Sequence, residues 1–385
     1  MCYPSLQRGN DKSAGPAHTY YAQSRVCAPA PLPPPRGISS FNSSHFGKTS
    51  LFGILFSEMA SEAVMQLLLS DASPNGMLSA RALTPLMAAA RVGSVTCTAE
   101  LLLSAKANID QTVGGSTALM IACREGQAGC VQLLLANGAA VNMRNEDGAT
   151  GLLLACREGY SECAQLMIEG NASLRLCQRD GATPLILACK GSHVAVTRLL
   201  LAQGAEPNEK AASSGMTALV ASCLAGAHRC AALLLEARAE PCLVLHNGLT
   251  ALTISARGGH IRILQLLLER AVDPDSVGES GVTALMVACQ MGRAKCAQLL
   301  LNAGARPGHV RKNGWTALME GCLTGQQECV QLLIAANADP SAATPSGTTS
   351  LMVACQAGHD GAPPPRAQQQ LSCDAAAHSR AELSL

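Results

Sequence analysis

Short apolar segments alternate along most of this chain with polar, glycine-containing segments, and the alternation has a fixed period. A threonine opens each period, at Thr84, Thr117, Thr150, Thr183, Thr217, Thr250, Thr283, Thr316 and Thr349. Successive threonines are 33 residues apart, except that Thr183 and Thr217 are separated by 34. A period of this size, sustained over most of a chain, predicts a solenoid of stacked repeats rather than a globule with one active-site cleft.

Each period predicts a pair of helices. The threonine is expected to be a helix N-cap, because its hydroxyl can accept a backbone N–H that the first helical turn leaves unpaired. The first helix is expected to end at a glycine nine residues later, such as Gly126, which tolerates the left-handed conformation of a helix terminus. Ser192 replaces this glycine in one repeat. A second helix then runs to a triplet of apolar residues, as at residues 133–135.

The segment between the second helix and the next threonine is polar and is predicted to form a hairpin-like loop, which we call a finger. In one repeat it covers residues 142–148 and ends with Asp147 and Gly148, a pair typical of tight turns. Neither helix of a pair can bury its apolar face alone, so stacked neighbours must supply the continuous core. The predicted fold class is all-α, a solenoid of stacked helix-turn-helix units with hairpin-like loops.

Cysteines follow the same period. Hydrophobic residues make up 48% of the chain but aromatic residues only 2%, so the core must be built from small side chains. Seven cysteines lie six residues after a threonine and five lie thirteen after it: Cys123, Cys156, Cys189, Cys223, Cys289, Cys322 and Cys355, and Cys130, Cys163, Cys230, Cys296 and Cys329. Other repeats fill these two slots with Ala90, Ala256, Val196 and Ile263. Cysteine is therefore predicted to act as a small buried hydrophobe, and so many unpaired thiols favour a reducing compartment.

Two other uses of the thiols remain open. Pairs seven residues apart, such as Cys123 and Cys130, could bind zinc, although zinc sites favour closer spacing on accessible loops. Cys177 and Cys242 lie in fingers and could sense redox state. The spacing favours core packing over both, and no metal or cofactor is expected.

The repeat unit resembles that of the ankyrin family. The resemblance is carried by residues 181–185 (Gly-Ala-Thr-Pro-Leu), 258–260 (Gly-Gly-His) and 200–208 (Leu-Leu-Ala-Gln-Gly-Ala-Glu-Pro-Asn). The histidine that this family usually has three residues after the threonine is missing, and apolar packing is expected to replace its hydrogen bond. Its place is taken by Met87, Met120, Leu153, Ile186, Val220, Thr253, Met286, Met319 and Met352.

Three segments are expected along the chain. Residues 47–359 form the repeat array, with a divergent first unit opening at Gly47-Lys48-Thr49 and a last unit that stops after one helix. Residues 1–46 and 360–385, rich in Pro, Ser, Ala and Gln, are predicted to be disordered tails. The basic first segment weakly resembles an organelle-targeting peptide. The incomplete last unit suggests that the chain is the regulatory part of a longer protein with a catalytic domain elsewhere.

Charge and motifs exclude several classes of function. The formal net charge of +1 does not favour nucleic acid, and the longest apolar runs are too short to span a membrane. Gly47-Lys48-Thr49 lacks the earlier glycine of a phosphate-binding loop, because Asn42 stands in its place. No catalytic triad is visible. The chain is therefore predicted not to be an enzyme and to act on no small-molecule substrate.

The remaining candidate is a binding surface. The resemblance implies a concave face formed by the fingers and the exposed ends of the first helices, where family members usually bind proteins. The seventh residue after each threonine, which we call the ladder position, lies on that end. It is occupied by Arg91, Arg124, Arg157, Lys190, Leu224, Arg257, Gln290, Leu323 and Gln356. Four consecutive cations favour an acidic segment of a partner protein, although Glu125 and Glu158 partly cancel them and an ordinary solvated edge also explains the pattern.

Arg144 and Arg179 in the fingers join the candidate binding residues, as does Trp315, the single tryptophan, at the base of a finger. His193, His260 and His359 lie in turns between helices, where capping or surface roles are expected. The predicted function is a non-enzymatic scaffold or adaptor in the cytoplasm or nucleus. A thiol-based redox sensor is the third alternative.

Overall fold

The computed structural model describes residue 75 and residues 83–103, 105–246, 248–278 and 281–357. The predicted tails at 1–46 and 360–385, the divergent first unit from residue 47, and Gly358 with His359 lie outside the described residues. The array boundaries at residues 47 and 359 therefore stay predictions.

The described residues form nine first helices and eight second helices that alternate along the chain. The first helices are α1 (Pro85–Val92), α3 (Ala118–Glu125), α5 (Gly151–Glu158), α7 (Pro184–Lys190), α9 (Ala218–Ala225), α11 (Ala251–Gly258), α13 (Ala284–Gln290), α15 (Ala317–Leu323) and α17 (Ser350–Gln356). The second helices are α2 (Val95–Leu103), α4 (Ala128–Ala136), α6 (Ser161–Glu169), α8 (Val194–Ala202), α10 (His228–Glu236), α12 (Ile261–Glu269), α14 (Ala294–Asn302) and α16 (Gln327–Ala335). First helices pack on neighbouring first helices and second helices on second helices, which confirms the stacked-repeat fold.

The repeat threonines begin the first helices as predicted. Each has an extended backbone, and its hydroxyl accepts the N–H of the third residue after it. In α5, for example, Leu153 N lies 3.4 Å from Thr150 Oγ1. A cap of this kind is worth about 1 kcal/mol, so the repeated threonine stabilises every repeat in the same way.

The position three residues after the threonine behaves as predicted in most repeats and differs in two. Met87, Leu153 and the equivalent residues of five other repeats are buried, so apolar packing does replace the missing histidine there. The expectation is wrong at Thr253, because its hydroxyl accepts the N–H of Thr250 at 2.9 Å and closes a capping box. It is also wrong at Met352, which is 52% exposed.

Left-handed residues end the first helices where the sequence predicted them. Gly126, with φ of 76°, caps α3, and Gly159, with φ of 91°, caps α5. A Cβ at Gly159 would also collide with the ring of His193. Ser192 takes the same conformation with φ of 62° despite its side chain, a strain of about 1–2 kcal/mol.

The cysteine slots form part of the core in most repeats. Cys123, Cys156 and the slot residues of five further repeats are completely buried at the sixth position. The prediction of burial is wrong for Cys322, which is half-buried, and for Cys355, which is exposed in α17, the last described helix. At the thirteenth position every predicted cysteine is buried, and Cys97 occupies the same slot.

The fingers are hairpin-like turns without regular strands. Asn145 N donates to Ala149 O at 3.0 Å and Gly148 N to Asn145 O at 2.9 Å, which closes a tight turn before Thr150. Elsewhere isolated bridges such as Val113 to Ser116 take this role. Within the described ranges no strand forms, which confirms the all-α class.

Side chains also tie each turn to the next repeat, a feature that the sequence reasoning missed. Asn142 Oδ1 accepts the N–H of Ser173 at 2.9 Å, and Asn208 Oδ1 accepts that of Glu240 at 2.8 Å. Asp110 and Asp275 occupy the equivalent position and accept in the same way. The signal available in the sequence was Asn or Asp nine residues after the first residue of the apolar triplet.

Candidate functional site

The ladder positions lie at the C-terminal ends of the first helices, as predicted. Arg124, Arg157, Lys190 and Arg257 are exposed there, and Arg91 is half-buried. Arg91, Arg124, Arg157, Lys190 and Arg257 each stand in the last turn of their helix. A cation at a helix C-terminus is favoured by the helix dipole, so part of this pattern has a structural cause.

The ladder cations fall into two electrostatic groups. Arg124 pairs with Glu125 at 3.0 Å and Arg157 with Glu158 at 2.9 Å, with all four side chains about 40% exposed. Exposed pairs of this kind contribute about 0–1 kcal/mol, so an incoming carboxylate can compete for the arginines. Lys190 makes no ion pair within the described part of the chain, and the same holds for Arg257.

Arg144 and Arg179 lie in neighbouring fingers and are both exposed. The Arg144 guanidinium donates to Gly148 O at 3.1 Å and also to the carbonyl of Cys177 in the next finger. The backbone N–H of Arg179 donates to Asp147 O at 3.0 Å. Arg144 therefore links two fingers, whereas the side chain of Arg179 extends from the surface.

Trp315 is half-buried at the base of its finger. Its carbonyl accepts the N–H of Arg311 at 2.9 Å, and its own N–H donates to Asn313 Oδ1 at 3.2 Å. The backbone of the residue is therefore fixed, with part of the side chain open to solvent.

Two adjacent cavities open between the fingers and the first helices. The first, of about 430 Å³, is lined by Arg157 and Lys190 together with residues of the two fingers beside them. The second, of about 560 Å³, lies one repeat further on and is lined by Leu224, Ile254 and Arg257, among others. The ladder residues Arg157, Lys190, Leu224 and Arg257 therefore line the cavities between the fingers and the first helices.

One finger separates the two cavities. Ser213, Ser214 and Met216 line both of them and belong to the repeat that has the additional residue. Ser213 Oγ donates to Asp180 O at 2.6 Å, and Ser214 O accepts the N–H of His246 at 3.2 Å. The dividing finger is therefore held by hydrogen bonds to the fingers on both sides.

A buried carboxylate, which the sequence reasoning missed, lies further along the same side of the first helices. Glu320 accepts from Arg311 Nη1 at 3.1 Å and from Gln290 Nε2 at 3.3 Å, and its side chain is 8% exposed. Burial raises the pKa of Glu320, and the charge of Arg311 and the bond from Gln290 offset only part of the rise. Equivalent positions hold buried apolar residues such as Ile254 and Val287, so comparing the repeats in phase would have found it.

The turn histidine His193 caps a helix of the preceding repeat. His193 Nε2 donates to Arg157 O at 3.0 Å, which satisfies a carbonyl at the C-terminus of α5. Arg293 has the same role towards Arg257 O at 3.4 Å. Burial, followed by the charge of Arg293, lowers the pKa of His260. The capping interpretation is confirmed for His193, and His359 lies outside the described residues.

Burial disfavours the thiolate form of most core thiols, whereas a hydrogen bond with Cys189 lowers the pKa of Cys230 to about 7 and one with Cys289 lowers the pKa of Cys329. Burial raises the pKa of Cys223 to about 11, and burial followed by the charges of Glu162 and Cys130 raises that of Cys163 to about 11. Of the two finger thiols, Cys242 is exposed and Cys177 half-buried. Within the described ranges no three His, Cys, Asp or Glu side chains come together as a metal site requires.

The capped helix pairs and their one-dimensional stacking define a helical-repeat solenoid, a class of protein that presents an extended binding surface. A family model described as ankyrin repeats (3 copies) matches residues 55–145, 129–211, 152–244, 238–310 and 303–362. The chain therefore belongs to the ankyrin repeat family. Such repeats generally mediate interactions between proteins, and their fold is typically non-catalytic.

The comparison with curated proteins returns no match. None of the helices in the described ranges is long and apolar enough to cross a bilayer.

Proposed function

We propose that this chain is a non-enzymatic scaffold or adaptor that holds a partner protein on the face formed by its fingers and the ladder positions. The observation that carries the proposal is the row of exposed cations at Arg124, Arg157 and Lys190, of which Arg157 and Lys190 line a cavity in the same face. An acidic segment of the partner would bind there. Arg91, Arg144, Arg179, Arg257 and Trp315 belong to the same proposed surface.

The hydrogen bonds that hold the fingers in place support the proposed binding surface. The fingers are tied to one another by bonds such as Arg144 to the carbonyl of Cys177 and Ser213 Oγ to Asp180 O. A surface that is ordered before binding loses less entropy when it binds. The unpaired core thiols favour a reducing compartment, and we propose the cytoplasm or the nucleus.

Charge reversal on the ladder tests the proposal. The full chain, immobilised, is incubated with lysate of its native cells, and the captured proteins are quantified for the wild type and for a variant carrying Arg124→Glu, Arg157→Glu and Lys190→Glu. The matched control carries Arg198→Glu, Arg229→Glu and Arg262→Glu, the same change in charge on exposed residues of the second helices.

We expect the ladder variant to lose the captured partner and the control to retain it. Equal capture by the wild type and both variants contradicts the proposed surface. Trp315 is tested separately by its fluorescence, since a spectrum unchanged at saturation with the captured partner removes it from the binding surface.

A further inference from the structure

Leu224 interrupts the row of ladder cations with an exposed apolar side chain. The four ladder positions before it hold Arg or Lys, and the one after it holds Arg257. Leu224 is 52% exposed and lies on the wall of the 560 Å³ cavity. When a partner covers an exposed apolar side chain beside a cavity, apolar surface is removed from water and binding becomes more favourable.

The chemistry of the two cavities differs. Met216, Leu245, Leu249 and Ile254 join Leu224 around the second cavity, so its walls are largely apolar, although Arg257, His246 and His260 also line it. The first cavity has Arg157 and Lys190 on its walls and shares only the dividing finger with the second. A ligand that crosses both must therefore present negative charge on one side of that finger and an apolar group on the other.

The spacing of the repeats sets the spacing of those groups. First helices that pack on each other lie about 8–10 Å apart, and a peptide in the polyproline II conformation rises about 3.1 Å per residue with about three residues per turn. About three residues of such a peptide thus cover one repeat. Side chains three residues apart lie on the same face of the peptide and therefore reach consecutive ladder positions.

We infer that the groove receives a peptide segment in the polyproline II conformation, in which two acidic residues and one large aliphatic or aromatic residue follow one another at intervals of three. The acidic residues bind Arg157 and Lys190, and the apolar side chain enters the cavity beside Leu224. This deepens the proposed function, on which it rests, by naming the sequence pattern that the surface selects. A nucleic acid presents uniform charge along its backbone and gains nothing from an apolar cavity between cations.

A selection of displayed random 12-residue peptides on the immobilised full chain tests the inference. With the wild type we expect enrichment of peptides that have acid, acid and apolar positions at intervals of three, in either chain direction. Leu224→Arg places at this position the residue found at four other ladder positions and should remove the apolar preference while keeping the acidic one. Arg157→Glu with Lys190→Glu should do the reverse.

Leu323→Arg is the matched control, because Leu323 is another exposed ladder leucine three repeats away. Its selected peptides should keep the wild-type pattern. Failure to enrich any peptide, or an apolar preference that survives Leu224→Arg, overturns the inference.

A synthetic copy of the most enriched peptide makes the test quantitative. Replacing its apolar residue with Ala should weaken binding to the wild type by about tenfold or more, the value of burying one large side chain. The same replacement should change binding to the Leu224→Arg protein by less than about twofold. Equal losses on both proteins contradict contact with the Leu224 cavity.

Failure of this inference is distinguishable from failure of the proposed function. Partner capture that is lost on ladder charge reversal but unaffected by Leu224→Arg leaves the scaffold function in place and overturns the apolar site. Capture that is unaffected by ladder reversal contradicts the proposed surface itself.

Discussion

Arg311 holds the buried carboxylate of Glu320 across 3.1 Å, linking a finger to the first helix that follows it. The adjacent repeat has neutral residues at both positions, with Thr344 in place of Arg311 and Val353 in place of Glu320. Removing one member of a buried pair leaves an uncompensated charge, whereas replacing both with well-packed neutral residues is often neutral or stabilising.

Replacing Arg311 alone should therefore destabilise the protein, whereas replacing Arg311 and Glu320 together should stabilise it. We expect Arg311→Thr to lower the free energy of unfolding by about 3 kcal/mol at neutral pH, and Arg311→Thr with Glu320→Val to raise it by about 1 kcal/mol or more. Urea unfolding followed by circular dichroism measures both. A double variant less stable than the wild type would show that the pair contributes more than its neutral replacement.

The same pair predicts a dependence on pH. Since the pKa of Glu320 is raised in the folded protein, the folded state binds its proton more tightly than the unfolded state. The resulting penalty is absent below the unfolded pKa of about 4.3 and complete above the raised folded value. Relative to the double variant, the wild type should lose stability as pH rises from about 4 to neutrality. A constant difference over that range contradicts the raised pKa.

Replacing Ser192 with glycine should stabilise its repeat. Ser192 is in the left-handed conformation at the end of α7, where seven other repeats in the described ranges place a left-handed glycine. Glycine relieves the backbone strain, but it also has a larger conformational entropy in the unfolded chain. The expected net gain in the free energy of unfolding is about 0.5–1 kcal/mol. Thermal unfolding of Ser192→Gly measures it, with Ser192→Ala as the control that keeps a Cβ. No gain for glycine over alanine would contradict the assigned backbone conformation.

Thiol alkylation of the native protein should separate the cysteines by burial. Cys242 and Cys355 are exposed and should react first, whereas Cys123 and Cys156 are buried with pKa values raised mainly by burial and should react only on unfolding. Mass spectrometry of the alkylated peptides gives the order, with the urea-unfolded chain as control. A rapidly reacting core cysteine would contradict this order and favour a thiol-based activity.

The turn-to-repeat bonds should contribute measurably to the coupling between repeats. Asn142→Ala removes the acceptor of the Ser173 N–H and should lower the free energy of unfolding by about 1 kcal/mol. Arg175, exposed at the equivalent position of the next repeat, provides the control, since Arg175→Ala removes no such acceptor. Equal effects of the two substitutions on urea unfolding would show that the bond to Ser173 is energetically neutral.

Features set within one repeat were predictable from the sequence, and features set between repeats were not. The cap at Thr150 and the slot of Cys156 follow from local chemistry and a repeated phase. The bond from Ser173 to Asn142 joins residues 31 positions apart, and the pair of Arg311 with Glu320 depends on how a finger meets a helix. The candidate site was predicted as a row of cations, but its cavities were not, because their walls come from three fingers and four helices.

The sequence by itself determined the period, the two helices of each repeat, their caps and the small-residue core, because these depend on residues close together in the chain. Only the tertiary structure decided which exposed residues share a surface. Stacking places Leu224 beside a finger whose repeat has one additional residue. Leu224 interrupts the row of cations in the sequence, and in the structure it forms part of the wall of a largely apolar cavity. Such contacts depend on packing between repeats, and the period alone does not encode them.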